Sequence, residues 1–231
     1  MGTEPLFDAM CVGAHPDDVE IGMGGTVALL VRQGMSVALV DLTNGEPTPH
    51  GTPETRAAES AQAARILGAE RRTLSGRNRY LFDTVEARTE LAETIREFRP
   101  RLLFVPYAQD AHPDHIAASQ IAVAARFYSK FTKTEMTGEP FFPERVYRYM
   151  AVHQRIVADP SFVVDVTETL PVKLEALAAY HSQFSANPAN AGIVPLMEQQ
   201  AAMWGALARV GAGEPFFALE PVAVHSVSDL I

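Results

Sequence analysis

The feature that most limits the fold of this chain is its alternation of short apolar runs with segments of helical periodicity. Nearly unbroken apolar runs occupy residues 9–14, 36–42 and 102–106, and helix-like patterns follow them. Such runs are typical of strands covered on both faces, and their alternation with helices indicates βαβ units on a parallel sheet. We therefore predict an α/β fold, a Rossmann-like three-layer α/β/α sandwich with a mainly parallel sheet and a C-terminal elaboration, with residues 1–231 forming a single domain.

The periodicity also predicts individual elements. A helix is expected to begin at Pro53 and to bury Ala57, Ala61, Ala64 and Leu67, which recur at helical spacing. A second amphipathic helix is expected over residues 85–98, with Leu91, Ile95 and Phe98 as its buried stripe. The other predicted elements are strands at 72–74, 146–152 and 162–166, and helices at 25–33, 116–128, 173–184 and 197–210, with a loop at 186–195.

Charge and composition exclude several classes of function. The chain carries 19 basic and 28 acidic residues, for a net charge of −9. This balance argues against binding to nucleic acid, which needs a basic footprint. No apolar run reaches the ~18–20 residues that span a bilayer, and the first seven residues lack a signal-peptide pattern. The single cysteine, Cys11, is expected to be buried, and a cytoplasmic protein with no membrane partner is expected.

Two related motifs follow two of the predicted buried strands. Residues 14–18 read Ala-His-Pro-Asp-Asp, and residues 111–115 read Ala-His-Pro-Asp-His. In a doubly wound sheet of order 3-2-1-4-5, the carboxyl ends of strands one and four flank the point where the strand order reverses, and ligands bind there. We therefore expect the two motifs to face each other across one crevice.

The residue types of the two motifs favour a metal site. Together they supply three acids and three histidines, and crowding such groups without a cation is energetically costly. Zinc suits imidazole and carboxylate ligands, although ferrous iron accepts the same set. A single His-Pro-Asp sequence is more often a turn with a capping acid, but its occurrence after two buried strands favours a metal centre.

A glycine-rich segment at residues 22–26 invites a nucleotide-binding interpretation. It lacks the G-x-G-x-x-G spacing, and the chain has no G-x-x-x-x-G-K-[ST] motif, which weakens an alternative assignment as a nucleotide-dependent oxidoreductase. These glycines are instead expected to let the helix start pack closely against the metal loop. Glu20 is open to two interpretations, as a partner of a ligand histidine or as a helix-start acid.

At these motifs the chain resembles the LmbE/PIG-L-like zinc N-deacetylases. Residues 14–26, AHPDDVEIGMGGT, are similar to the opening block of that family, and residues 41–46 and 51–56 are similar to its second block. Residues 180–184, YHSQF, look like a late element of the family. Among its members the chain looks closest to the deacetylases of bacillithiol biosynthesis, which act on N-acetylglucosaminyl malate.

The resemblance implies a role for each motif residue. It implies zinc ligands His15, Asp18 and His115, a general base Asp17, a residue His112 that polarises or protonates at the tetrahedral stage, an acid Asp114 that orients His112 and raises its pKa, and a substrate-binding Arg56. It also implies one Zn²⁺ per subunit, an N-acetyl sugar substrate and a homo-oligomer, by family analogy a hexamer.

The chain departs from the family pattern at Ala111, where arginine is common, and at residues 75–79. These departures leave the substrate open, with a chitooligosaccharide or a mycothiol-like conjugate as alternatives to the malate conjugate. A non-catalytic binding module is a further alternative, which the complete motif set disfavours. Arg77 and Arg79 are candidates for binding malate carboxylates. Among the histidines outside the motifs (His50, His153, His181 and His225), His181 is the expected pocket-rim residue.

Overall fold

The computed structural model describes residues 4–154, 156, 158–223 and 226. Seven strands form one sheet of order β3-β2-β1-β4-β5-β7-β6. In chain order the elements are β1 (Phe7–Gly13), α1 (Asp18–Arg32), β2 (Val37–Thr43), α2 (Pro53–Leu67), β3 (Glu70–Gly76), α3 (Val85–Phe98), β4 (Pro100–Val105), α4 (Pro113–Tyr128), β5 (Arg145–Tyr149), β6 (Phe162–Asp165), α5 (Leu170–Ala178), α6 (Ile193–Ala208) and β7 (Gly213–Ala218).

Helices cover both faces of the sheet, which confirms the predicted three-layer sandwich. One apolar cluster joins the sheet to α1, α2, α5 and α6, and it includes fully buried Cys11. A second cluster joins the opposite face to α3 and α4, through residues such as Leu91, Ile95 and Ile121. Helix α3 has the predicted bounds and buries the predicted stripe. Within the described residues, no helix is long and apolar enough to cross a membrane.

The sheet topology brings the two motifs together. Strand β1 pairs in parallel with β2 on one side and with β4 on the other. The connections after β1 and β4 lead into helices on opposite faces of the sheet, so a crevice opens between the carboxyl ends of these two strands. The motif at 14–18 follows β1 directly, and the motif at 111–115 follows β4 after a short loop. The expected switch-point location is confirmed.

Helix α1 begins earlier than predicted and contains a break. It starts at Asp18 instead of residue 25, and Met23 has non-helical φ and ψ of −153° and 24°. The carboxylate of Glu214 accepts hydrogen bonds from the backbone N–H groups of Gly25 and Thr26 just after the break. This carboxylate therefore caps the second half of α1, and its own charge is paired with Lys173 Nζ at 2.6 Å.

The glycines of α1 allow close packing, although against other partners than predicted. A Cβ on Gly22 would lie 2.3 Å from the ring of Tyr149, and one on Gly25 would lie 2.9 Å from Val166. The glycine that packs against the metal loop is Gly13, where a Cβ would lie 3.2 Å from Cβ of Asp18. A side chain at the end of β1 would therefore crowd the tight turn into the first motif.

The buried face of one helix was predicted wrongly, and one strand was missed. Helix α2 buries the face that contains Arg56, Ser60, Ala63, Ala64 and Leu67, whereas Ala57 and Ala61 are exposed. The reason is that Arg56 points into the site, which rotates the apolar stripe by about one residue. Strand β7 was not predicted, because Pro215 cannot donate to a sheet ladder and Glu214 interrupts the apolar run.

Candidate metal centre and active site

Three ligand-type side chains converge at the carboxyl ends of β1 and β4. His15 Nδ1 lies 3.2 Å from His115 Nε2, and His115 Nε2 lies 3.2 Å from Asp18 Oδ1. His15 Nδ1 lies 3.6 Å from Asp18 Oδ2. All three residues are buried, with 2–7% of their surface exposed. Two imidazole nitrogens and a carboxylate oxygen therefore point toward a common centre.

The spacing of these atoms fits a small divalent cation. A tetrahedral ion with bonds of about 2.0–2.1 Å holds neighbouring ligand atoms roughly 3.3 Å apart, close to the separations of 3.2–3.6 Å in the cluster. Burial lowers the pKa of His115, but Asp18 and Asp110 outweigh burial and raise it to about 10. The negative charges of these two carboxylates thus favour a positive charge beside His115, such as that of a bound metal ion. His15, Asp18 and His115 could hold a metal ion, as could His15, His112 and Asp114.

Backbone hydrogen bonds fix the orientation of the Asp18 carboxylate. Oδ2 accepts from the N–H groups of Ala14 and His15, both at 2.9 Å. These bonds occupy Oδ2, so Oδ1 is the oxygen that faces His115. Asp18 lies in the first turn of α1, immediately after the tight turn at the end of β1. The local turn therefore presents one carboxylate oxygen to the centre.

Each ligand-type histidine has a carboxylate partner on its other ring nitrogen. His15 Nε2 lies 3.1 Å from Asp114 Oδ2, and His115 Nδ1 lies 2.9 Å from Asp110 Oδ2. Such partners are typical of metal-binding histidines, since they set the tautomer and the ring orientation. Sequence reasoning missed Asp110. Its only signal was an acidic residue in the loop that follows β4.

The prediction that Asp114 binds and orients His112 was wrong. The carboxylate of Asp114 is directed to His15, and it also accepts from the N–H groups of Arg79 at 2.6 Å and Leu81 at 3.4 Å. Only the backbone N–H of Asp114 contacts His112, donating to Nδ1 at 3.1 Å. His112 is the N-cap residue of α4, and this bond is its capping interaction.

His112 lies beside the cluster as a neutral ring. Its centroid is 4.9 Å from that of His15 and 4.8 Å from that of His115. Burial and the neighbouring histidines lower its pKa to about 4, so the predicted rise in pKa was wrong. Because Nδ1 accepts a hydrogen bond, the neutral ring carries its proton on Nε2. His112 can therefore donate one hydrogen bond near the cluster.

Asp17 and Arg56 form an ion pair next to the cluster. Asp17 has a left-handed backbone, with φ of 109°, and its Oδ2 accepts from Arg56 Nη2 at 3.0 Å. Arg56 Nη2 also donates to the carbonyl of Pro16, whereas Nε and Nη1 are buried and lack a partner among the described residues. Burial raises the pKa of Asp17 to about 7, although Arg56 opposes the rise. A carboxyl group with this pKa can exchange a proton near neutral pH.

These groups line one cavity of about 670 Å³. His15, Asp17, Asp18, Arg56 and His112 all belong to its wall, together with two residues that sequence reasoning did not select, buried Asn78 and exposed His153. The exposed part of the wall includes the amide side chains of Asn190, Gln199 and Gln200. The cavity has the size of sites that enclose small organic ligands.

The remaining candidates, except Arg79, lie outside the site. Glu20 contacts neither a ligand histidine nor solvent, because its Oε1 binds Arg71 at 2.6 Å and the Tyr180 hydroxyl at 2.7 Å. Arg79 lines the cavity, whereas Arg77 stacks on Tyr80. His181 is exposed and does not line the cavity, nor does His50, and His225 lies outside the described residues.

Comparison with known proteins agrees with this geometry. The model of the family PIG-L: GlcNAc-PI de-N-acetylase matches residues 10–126, about half of the chain. The chain is 30% identical to diacetylchitobiose deacetylase of Thermococcus kodakarensis over 78% of this chain and 73% of that protein. It is 29% identical to 1D-myo-inositol 2-acetamido-2-deoxy-alpha-D-glucopyranoside deacetylase 2 of Catenulispora acidiphila, over 80% and 82%.

A solved structure has the same fold over nearly the whole chain. The crystal structure of a conserved protein from Thermus thermophilus superposes with a TM-score of 0.88 at 38% identity, covering 96% of this chain and 98% of that one. The family match includes both motifs and the strands that carry them. This chain therefore belongs to the PIG-L family and is a hydrolase of the N-deacetylase type.

Proposed function

We propose that this chain hydrolyses the acetamide of an N-acetylglucosaminyl conjugate and releases acetate and the free amino sugar. The observation that carries the proposal is the placement of a metal-type cluster, an acid with a pKa of about 7 and a neutral histidine donor on the wall of one cavity. Amide hydrolysis needs an activated water, a donor for the carbonyl oxygen and a proton for the departing amine. The cavity wall contains a candidate group for each need.

The proposed metal is one Zn²⁺ per subunit, held by His15, Asp18 and His115. When bound there, zinc would supply a Lewis acid and a coordinated water whose pKa falls from 15.7 toward ~7. The mixed nitrogen and oxygen ligand set also accepts ferrous iron, so the metal present in the cell is to be identified by elemental analysis of the purified protein.

Asp17 is the proposed general base and acid. It neighbours Asp18 in sequence, and its carboxylate is held by Arg56 at 3.0 Å, which keeps it directed at the cavity. As a base it takes one proton from the attacking water. As an acid it returns that proton to the amine nitrogen when the C–N bond breaks. One residue with a pKa near 7 suits both steps, because each proton transfer is then close to thermoneutral.

His112 is the proposed donor to the substrate carbonyl oxygen. Its Nε2–H is free of the capping bond, which uses Nδ1. The hydrogen bond to the oxygen strengthens as negative charge develops there, a contribution worth about 3–4 kcal/mol per donor. A neutral His112 gives this stabilisation without a change in its own protonation. This assignment keeps the predicted catalytic role of His112 and changes its charge state.

Asp114 and Arg56 have supporting roles in this proposal. Asp114 positions His15 through its 3.1 Å contact with Nε2. Arg56 holds Asp17, and its unpartnered Nε and Nη1 groups can bind an acceptor oxygen of the substrate. A buried guanidinium with unused donors is costly unless a ligand supplies the acceptors, which supports the predicted substrate contact.

Two kinds of aglycone, an anionic malate and a neutral ring, are compatible with the cavity wall. The family resemblance points to N-acetylglucosaminyl malate, whose two carboxylates would need cations, and Arg79 on the cavity wall is one such group. The amide-lined wall at Asn190, Gln199 and Gln200 instead suits a neutral ring, since amides donate to and accept from hydroxyls. The relatives named above are named for chitobiose and inositol glycosides, respectively.

We further propose that residues 1–231 work as one deacetylase domain and that the chain forms a homo-oligomer, a hexamer by family analogy. In support of a single domain, the strands of both halves of the chain belong to one sheet. In support of an oligomer, Tyr80, Phe82 and Val85 expose 56–65% of their surface in a short segment beside the cavity residue Arg79. Exposed apolar side chains grouped in this way favour contact with another surface.

Acetate release from defined substrates tests the proposed function. The zinc-loaded protein is assayed with N-acetylglucosaminyl malate, N,N'-diacetylchitobiose, the N-acetylglucosaminyl inositol glycoside and N-acetylglucosamine, with Asp17→Asn as the control. Release that is lost in Asp17→Asn supports the deacetylase, and the preferred substrate identifies the aglycone. If none of the four substrates releases acetate from protein that holds one equivalent of zinc, the proposed substrate class is wrong.

A further inference from the structure

Asp110 has an unusual environment for a residue without an assigned role. It is buried, with 7% of its surface exposed, in the loop between β4 and α4. Oδ2 lies 2.9 Å from His115 Nδ1 and accepts from the backbone N–H of Val152 at 2.9 Å. Oδ1 accepts from the backbone N–H groups of Gln154 at 3.0 Å and His153 at 3.2 Å. The same oxygen also accepts from the N–H groups of the next two residues in the chain.

This set of bonds selects an ionised carboxylate. Every partner of the two oxygens is an N–H donor, and a carboxylate offers about four lone-pair sites for them. A neutral amide at this position would turn an NH₂ group toward backbone N–H donors. The charge of Asp110 therefore joins the His115 ring to the backbone of residues 152–154, where the His153 ring also packs 5.0 Å from that of His115.

The bond to His115 determines which ring nitrogen can face the metal cluster. Because Asp110 accepts at Nδ1, the neutral ring carries its proton on Nδ1 and presents the lone pair of Nε2. Nε2 is the atom that lies 3.2 Å from both Asp18 Oδ1 and His15 Nδ1. Asp110 thus sets the tautomer in which His115 can act as a ligand.

The bonds to residues 152–154 determine the position of part of the cavity wall. These residues follow β5, which ends at Tyr149, and they have no strand pairing of their own. Val152, His153 and Gln154 all line the cavity. Their N–H groups are bound to Asp110 from 42 to 44 positions away in sequence. The path of this wall segment therefore depends on the same carboxylate that orients His115.

We propose that Asp110 is a positioning residue that couples the metal ligand His115 to the substrate-facing wall at residues 152–154. The inference rests on the proposed function for its effect on substrate binding, but not for its effects on metal affinity and on the wall. Because one carboxylate binds both the metal cluster and the wall, it fixes the distance between them. A substrate that contacts residues 152–154 is thereby placed at a defined distance from the reacting centre.

The test uses Asp110→Asn, with Glu214→Gln as a matched control. Glu214 is also a buried acid that accepts several N–H bonds, but it does not line the main cavity. Zinc affinity is measured by competition with a chromophoric chelator, and backbone hydrogen exchange is followed at residues 152–154. In Asp110→Asn we expect the zinc Kd to rise about 10–100-fold and exchange at 152–154 to quicken about tenfold. Glu214→Gln leaves Lys173 without its partner and so destabilises the whole fold. In this control the zinc Kd should stay within about twofold of the original value, and exchange at 152–154 should quicken no more than exchange elsewhere in the sheet.

A measurement at excess zinc distinguishes displacement of the wall at residues 152–154 from an effect of metal loss alone. At saturating zinc, Asp110→Asn should still show fast exchange at residues 152–154 and a raised KM, because the wall remains displaced. If Asp110→Asn does not fold, Asp110→Glu, which keeps the charge but moves it by one methylene, is expected to change both readouts in the same directions. An unchanged zinc Kd or unchanged exchange at 152–154 in the folded variant overturns the inference. Neither readout needs deacetylation, so failure of the proposed substrates would leave this test intact.

Discussion

Oδ2 of Asp114 lies 3.1 Å from Nε2 of His15, although 99 positions separate the two residues. The carboxylate of the second motif thus serves the histidine of the first motif. His115 Nε2 of the second motif in turn lies 3.2 Å from Asp18 Oδ1 of the first. The two motifs therefore form one interlocked unit, in which the orientation of each depends on the other.

Replacing Asp114 should weaken metal binding. In Asp114→Asn the amide is a poorer acceptor for His15 Nε2–H, and it can turn a donor toward that nitrogen. We expect the zinc Kd to rise about tenfold, the lower end of the range for partners of metal-binding histidines. Chelator competition measures the change. Asp165→Asn, which alters an exposed acid at the end of β6, serves as the control. An unchanged zinc Kd would show that Asp114 does not support His15 as a metal ligand.

Replacing Asp17 should remove catalysis and preserve the metal. We expect Asp17→Asn to lower kcat by about 10²–10⁴-fold, the usual contribution of a positioned general base or acid. The zinc Kd should stay within about twofold of the original value, because Asp17 accepts from Arg56 and supplies no atom to the cluster. Steady-state acetate release and chelator competition measure the two quantities. Retained activity with normal zinc content would assign the base to another residue.

Arg56 should control the pH dependence through Asp17. Burial raises the pKa of Asp17 to about 7, and the Arg56 charge opposes that rise. Removing the charge in Arg56→Met therefore raises the pKa further, so the acidic limb of the profile of kcat/KM against pH should move to higher pH. Arg56→Lys keeps the charge and should shift the limb less. If the limb stays in place in Arg56→Met, the group that titrates is not Asp17.

The buried pair of Lys173 and Glu214 should matter for stability. Their charged atoms are 2.6 Å apart, and both side chains are nearly inaccessible. In Lys173→Met the charge of Glu214 would be left buried without its partner, a change that typically costs about 3–5 kcal/mol. The hydrogen bonds from Gly25 and Thr26 remain, so we expect a value near the lower end. Urea unfolding of the zinc-loaded protein measures the loss, and a change in unfolding free energy below about 1 kcal/mol would contradict it.

Much of the fold and the main site could be predicted from local patterns. Buried parallel strands have a distinct composition, and residues that follow such strands meet at one edge of the sheet. The apolar run at residues 9–14, the stripe of α3 and the convergence of His15 with His115 follow from this reasoning. These predictions succeeded because each depends on one segment at a time or on a general rule of topology.

The features that were missed depend on contacts between distant segments. Asp110 is significant because residues 152–154 bring their N–H groups to it. The buried face of α2 was misassigned because Arg56 is buried by its pairing with Asp17, which no helical periodicity reveals. The pKa of His112 was mispredicted because burial and the neighbouring histidines lower it, and the Asp114 carboxylate binds His15 instead. In each case a polar side chain found a partner that its own sequence neighbourhood does not identify.

Arg79 should discriminate between anionic and neutral aglycones. Its side chain lines the cavity, and its backbone N–H binds Asp114 at 2.6 Å with φ of 68°. Arg79→Asn preserves this backbone, because asparagine tolerates the left-handed region, and removes only the cation. We expect kcat/KM for N-acetylglucosaminyl malate to fall about tenfold, the loss that accompanies one charge-assisted hydrogen bond.

A neutral substrate and a variant of the neighbouring Arg77 serve as the controls for the Arg79→Asn measurement. For N,N'-diacetylchitobiose, Arg79→Asn should stay within about twofold of the original kcat/KM, since hydroxyls do not need a cation. Arg77→Asn is the matched control, because Arg77 stacks on Tyr80 and does not line the cavity. Equal losses on both substrates would mean that Arg79 acts through the shared amino sugar. No loss on either substrate would leave the neutral amide wall at Gln199 and Gln200 as the surface that selects the aglycone.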